Sequence, residues 1–183
     1  MRIPLRLSAM SDEQLMHMAA LNSERAFEEL YNRHARRLQG FFNRRLGDAE
    51  LAADFTHDTF LRIYAARESY QKGKNFRAWL YTIAYNLCKN HYRNQLSMVY
   101  EQEEDVRDDH NIEIEMDDAI LREALRKILR ELPQPLALLF SLHYEEELTV
   151  PQVAQITNLP EGTVKSRLHK TMTIIKNKLK QYG

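Results

Sequence analysis

One cysteine, one tryptophan, five glycines and five prolines are spread over 183 residues. With Cys88 alone, an internal disulfide is excluded, and no paired Cys or His spacing suggests a zinc site. So little Gly and Pro, with few alternating runs of Val, Thr and Tyr, argues against sheets and for an all-α chain. No apolar run is long enough to span a bilayer, and the stretch from Met1 to Leu7 lacks the apolar core of a signal peptide. Neither a phosphate loop, a metal constellation nor a nucleophile–base pair is present. No catalytic residue, cofactor or metal is therefore assigned, and an enzyme acting on nucleic acid is the weakest reading. The expectation is a cytoplasmic protein without membrane insertion.

Net charge is also missing, but only by cancellation. Residues 1–96 hold 15 basic and 10 acidic side chains, residues 97–118 hold Arg107 against 10 acids, and residues 119–183 hold 10 basic against 6 acidic. Two basic blocks around an acidic strip suggest two nucleic-acid-facing domains and a linker. The strip has dense like charge and little periodicity, which predicts a flexible segment.

The stretch from Thr149 to Leu179 organises the rest. Thr149-Val-Pro-Gln152 has the form of a capping box, and Pro151 suits a first helical turn. Asn158 stands where the chain must turn and tolerates left-handed backbone. From Pro160, Val164, Leu168, Met172 and Ile175 recur at helical spacing. Two short helices joined by a tight turn describe a helix-turn-helix, whose second helix enters a major groove. From Pro160 onward there are six basic residues and Glu161 alone as acid. Lys165, Ser166, Arg167 and His169 lie in the half of the helix that meets base edges. Thr163 and Lys170 complete the candidate DNA contacts of this helix, Lys170 as a phosphate contact. The plain competitor is a solvated amphipathic helix.

Earlier in the chain, Ser11 and Ser23 are candidate helix caps. Phe27, Leu30, Tyr31, Leu38, Phe41 and Phe42 form an inward stripe that Gly47 ends. Asp48 caps the next helix, which runs through Leu51, Ala52, Phe55, Phe60, Leu61 and Ile63 to about Ala66. Glu68 to Asn75 reads as a loop. Phe76, Trp79, Leu80, Ile83, Leu87 and Cys88 then share an apolar face, with Trp79 read as core. Between Gln71 and Gln95 stand Lys72, Lys74, Arg77, Lys89 and Arg93 with no acid, interleaved with Tyr81, Tyr85 and Tyr92 off the main stripe. Exposed aromatics beside a cationic track hold single strands, at about 1–3 kcal/mol per stacked base. The competing reading is that these tyrosines rim a core. A helix through Ile120, Leu121, Ala124, Leu125, Ile128 and Leu129 ends near Pro133, and Pro135 restarts it.

Ala26-Phe-Glu-Glu-Leu-Tyr31, Asp58-Thr-Phe-Leu-Arg62, Phe76-Arg-Ala-Trp-Leu-Tyr-Thr-Ile-Ala84 and Glu161-Gly-Thr-Val-Lys-Ser-Arg-Leu168, in that order, resemble the extracytoplasmic-function group of bacterial sigma factors, the smallest of the sigma-70 family. The resemblance implies two small helical domains joined by a flexible acidic linker. Residues 10–96 correspond to the sigma-2 domain, 97–118 to the linker and 119–183 to the sigma-4 domain. It also implies that Asp54, His57, Asp58 and Leu61 dock on core RNA polymerase. Ser69, Lys72, Lys74, Asn75, Phe76, Arg77, Tyr85 and Lys89 correspond to positions that capture and melt the minus-ten element, and the helix after Pro160 to the reader of the minus-thirty-five element. Core polymerase and promoter DNA are the implied partners, with an anti-sigma factor as a further candidate. His57 stands where the family usually has Gln, Pro160 where it usually has Ser, and Asn158 where it usually has Gly. The alternative is a stand-alone helix-turn-helix regulator whose N-terminal half senses a ligand or dimerises. Such a regulator footprints DNA without polymerase, usually at a palindrome.

Overall fold

The computed structural model describes residues 6–95 and 118–182, and every described element is helical or a turn. The chain divides into two compact units, Met1–Asn90 and His91–Gly183. The linker expected at 97–118 lies outside the described residues except for Asp118, which begins a helix.

The first unit contains α1 (Asp12–Ala20), α2 (Glu24–Leu46), α3 (Ala49–Ala65) and α4 (Phe76–Gln95) up to Asn90, the last turn of α4 lying past the division, with single 3-10 turns at Leu7–Ala9 and Arg67–Ser69. Local chemistry sets the helix ends. Ser11 and Gln14 exchange both bonds of a capping box, at 3.1 and 2.9 Å, and Asp48 accepts from the Leu51 N–H at 3.0 Å. Ser23 accepts from the Ala26 N–H at 3.3 Å. Caps of this kind contribute about 1 kcal/mol each. Gly47 ends α2 in the left-handed region, at φ 67°, where a Cβ would cost strain.

Leu15 and Met16 of α1, Leu30, Leu38, Phe41 and Phe42 of α2, Ile63 of α3 and Leu80 and Tyr81 of α4 are fully buried. Phe41 lies 5.5 Å from both Phe42 and Tyr81, edge to face with each. Two residues of the expected stripes are turned out: Tyr31 is 41% and Leu61 53% exposed. Each follows a buried neighbour, Leu30 or Phe60, and a step of one residue rotates a side chain about 100° around the helix. Tyr31 still rests edge-on against Phe60.

A charged knot joins α1 to α2. Arg33 donates to the Leu7 and Met10 carbonyls at 3.0 and 2.8 Å and to Asp12 and Glu29 at 3.1 and 2.9 Å, while His34 Nε2 lies 2.7 Å from Asp12. The hydrogen bond with His34, assisted by Arg33 and opposed by burial, holds the Asp12 carboxyl below its ordinary value of 3.8. A folded pKa below the unfolded one stabilises fully above the ordinary value and is lost as pH falls through the lowered one. Thermal melts followed by circular dichroism should therefore show the first unit weakening on acidification below pH 3.8, with that loss reduced in Asp12→Asn.

The second unit contains α5 (Asp118–Glu131), α6 (Gln134–Phe140), a single π-helical turn (Ser141–Glu145), α7 (Val150–Thr157) and α8 (Glu161–Leu179). Ala124, Ile128, Leu129 and Leu132 meet Ala137, Phe140, Ile175 and Leu179 in one core, and on the exposed surface Lys178 of α8 donates to Glu131 of α5 at 2.9 Å. Ile120, expected on the apolar face of α5, is 58% exposed. Between α7 and α8 lies the tight turn of the helix-turn-helix. Thr149 and Gln152 form the capping box of α7, and Asn158 closes it in the left-handed region at φ 56°. Pro160 precedes α8 and supplies no side-chain cap.

Candidate nucleic-acid and polymerase interfaces

In the second unit, α8 buries Val164, Leu168, Thr171 and Ile175 and turns Lys165, Ser166 and His169 outward, with Thr163, Arg167 and Lys170 half-buried on its flanks. Thr171 and Thr173 return their hydroxyls to the Arg167 and His169 carbonyls, at 2.7 and 3.1 Å, so these polar groups are spent inside. Glu161 is the one acid of α8. The outward face is therefore cationic and rich in donors, which is what phosphates and guanine edges require. With no side-chain cap on α8, its first-turn N–H groups are left for water or an anion.

In the first unit, the segment from Arg67 to Asn75 joins α3 to α4. The side chains of Ser69, Lys72, Lys74, Asn75 and Lys89 are exposed, while those of Arg77 and Tyr85 are half-buried. Several of these groups already have duties. Ser69 donates to the Ala66 carbonyl at 2.7 Å, and Asn75 caps α4 by accepting from the Ala78 N–H at 2.9 Å. Phe76 leaves the candidate set. Its ring is fully buried beside His34, and its N–H donates to Glu13 of α1 at 3.1 Å. With one donor on Glu13 and another on Asn75, the start of α4 has little left for a phosphate, so Lys72 and Lys74 supply the positive potential there.

The aromatics of α4 also differ from expectation. Tyr81 and Tyr92 are buried, at 1% and 8% exposure, whereas Trp79 is only half-buried and lies against Tyr70. The covered stripe runs through Phe76, Leu80, Tyr81, Ala84, Leu87, Cys88 and Tyr92, rotated away from Trp79 and Ile83. Burial pushes the Cys88 thiol up to about 12, so it is no nucleophile at neutral pH.

Asp54, His57, Asp58 and Leu61 fall at i, i+3, i+4 and i+7 of α3 and so share one face. Asp54, His57 and Leu61 are exposed, and Asp58 is half-exposed and paired with Arg62 at 3.1 Å. The structure extends this stripe to residues that the sequence reading passed over. Tyr64, three positions on, is 38% exposed with the Arg67 guanidinium 4.1 Å over its ring. Arg67 also donates to Asn22 at 2.9 Å, drawing in the α1–α2 turn whose Leu21 is 71% exposed. The three-residue step from Leu61 to Tyr64 was the available signal. Leu21 had none.

Residues 30–97 match the family described as Sigma-70 region 2, and residues 122–174 match Sigma-70, region 4. The sigma factor CarQ of Myxococcus xanthus is 30% identical over 146 residues, covering 79% of this chain and 84% of that protein. This chain belongs to the sigma-70 family. Within it, the chain falls in the extracytoplasmic-function group: the ECF sigma-E factor of Haemophilus influenzae is 26% identical over 93% of this chain and 96% of its own length. The solved structure of CnrH, in complex with the cytosolic domain of CnrY, shares the fold with a TM-score of 0.72 at 22% identity, over 94% of this chain and 99% of that one. Because sigma-factor relatives extend over both units, the helix-turn-helix belongs to a sigma factor rather than to a stand-alone regulator. Among the described residues no group of His, Cys, Asp and Glu could hold a metal ion, and no helix is long and apolar enough to cross a membrane.

Proposed function

We propose that this sigma factor binds core RNA polymerase in the cytoplasm and directs it to a specific set of promoters, with no chemistry of its own. The observation that carries this is the combination of a mixed acidic and apolar face on α3 with a cationic outward face on α8, each in its own unit. In this reading Asp54, His57, Asp58 and Leu61 dock on the polymerase, joined by Tyr64. Ser69, Lys72, Lys74, Asn75, Arg77, Tyr85 and Lys89 meet the downstream element and help melt it. Thr163, Lys165, Ser166, Arg167, His169 and Lys170 read the upstream element as duplex. Two modest DNA contacts then suffice, because attachment to polymerase raises their effective concentration. A protein that covers the α3 face or the α8 face would silence the chain, which makes an anti-sigma factor a fitting partner. Run-off transcription on genomic DNA by core polymerase, with and without the chain, tests the reading. Transcripts that need the chain support it, and identical transcript sets refute it.

Two substitutions in α8 separate base reading from phosphate contact. Arg167→Ala should relax specificity at one upstream base pair, since a bidentate Arg–guanine pair is worth about 1–3 kcal/mol of discrimination. Lys170→Ala should weaken every upstream sequence alike and reduce the slope of log affinity against log salt by about 0.9. Binding-site selection at two salt concentrations distinguishes them. A changed base preference in Lys170→Ala, or uniform weakening in Arg167→Ala, would reverse the assignments.

A further inference from the structure

The loop between α3 and α4 is braced by a tyrosine that neither charge nor periodicity marks out. The Tyr70 hydroxyl donates to the Lys74 carbonyl, and its ring lies 5.3 Å from that of Trp79, inclined by 34°. Inside that span the Lys74 N–H donates to the Gln71 carbonyl at 3.1 Å, and Gly73 takes φ 91°. Ser69 on one side and Asn75 with Glu13 on the other tie the loop ends to α3, α4 and α1. The turn is therefore held at both ends and across its middle, while the side chains of Lys72 and Lys74 are exposed. Burial, with Glu13 and Asp12 adding to it, pushes the Tyr70 hydroxyl up to about 12, so it remains a donor at neutral pH.

We propose that Tyr70, braced on Trp79, is a positioning residue that pre-forms the Gln71–Lys74 turn for single-stranded promoter DNA. The inference rests on the reading of this loop as the downstream contact. A turn containing glycine loses much backbone freedom when it is fixed. Ordering it before the DNA arrives spares the complex that cost. Tyr70 acts through the loop, because its hydroxyl is already committed to a backbone carbonyl.

Tyr70→Phe keeps the ring and removes the hydroxyl. Holoenzyme assembled from core polymerase and the full chain is titrated with a fluorescein-labelled single-stranded oligonucleotide from the non-template strand of a promoter that it transcribes. Affinity should fall about threefold to tenfold in Tyr70→Phe, with the salt slope and base preference unchanged because no phosphate or base contact is lost. In the free chain, hydrogen exchange across residues 70–76 should quicken while the thermal midpoint stays put. Lys72→Ala provides the contrast, lowering the salt slope by about 0.7. Unchanged exchange would mean that the hydroxyl does not hold the turn. Unchanged affinity despite faster exchange would mean that pre-forming the turn does not matter. An altered salt slope or base preference would make Tyr70 a direct contact. Any of these overturns the proposal and leaves the sigma-factor reading intact. A parent holoenzyme that transcribes no promoter overturns both.

Discussion

Asp58→Arg in the full chain should abolish binding to core RNA polymerase and leave the fold of the first unit unchanged. Asp58 is half-exposed on the α3 face that also presents Asp54, His57 and Leu61. Its present partner Arg62 is itself 57% exposed, and such an i,i+4 pair is worth only about 0.3–0.5 kcal/mol. Losing the pair therefore does not threaten the helix, which is held by the Asp48 cap and by buried Ala52, Thr56, Phe60 and Ile63. At a docking face the balance differs. A reversed charge there sets like against like or strips a partner's group of its pair, at a cost of several kcal/mol. About 3 kcal/mol already lowers affinity more than a hundredfold. Pull-down with core polymerase, beside a circular dichroism spectrum that shows the helices intact, is the measurement. A folded Asp58→Arg chain that still binds polymerase would remove this face from the docking surface.

Phe41→Ala should unfold the first unit while the second still binds upstream duplex DNA. Phe41 is fully buried and packs edge-on against Phe42 of its own helix and Tyr81 of α4. Truncating such a ring costs about 3–5 kcal/mol through lost burial and the cavity left behind. Whole domains have about 5–15 kcal/mol in reserve, and a unit of this size has little margin. The core of the second unit is built from residues between Ala124 and Leu179. Thermal melting should accordingly resolve an early transition for the first unit, with polymerase binding and single-strand binding lost. Weak binding to upstream duplex should persist, with its salt slope intact. A single transition for the whole chain, or loss of upstream binding together with the rest, would show that the two units do not fold separately.

Much of this protein was legible in its sequence because the rules that set helix ends and faces are local. Ser11, Ser23, Asp48 and Thr149 cap helices through residues three positions on, and Gly47 and Asn158 end them through their own backbone preferences. The helix-turn-helix follows from such signals within thirty-odd residues, and the outward set of α8 follows from a 3.6-residue period. Tertiary structure decided which of two adjacent faces of a helix would be covered. Periodicity puts Trp79 in the core of α4 and Tyr81 off the stripe, and packing reverses this, with Phe41 of α2 meeting Tyr81 while Trp79 is left half-buried. The same packing buried Phe76, because Glu13 and His34, from elements far back in the chain, meet its N–H and its ring. It also turned Leu61 outward and placed Arg67 over Tyr64, extending the α3 face beyond the residues that the family motif marks. These choices depend on partners brought together only when the helices pack, and no window of neighbouring residues contains them.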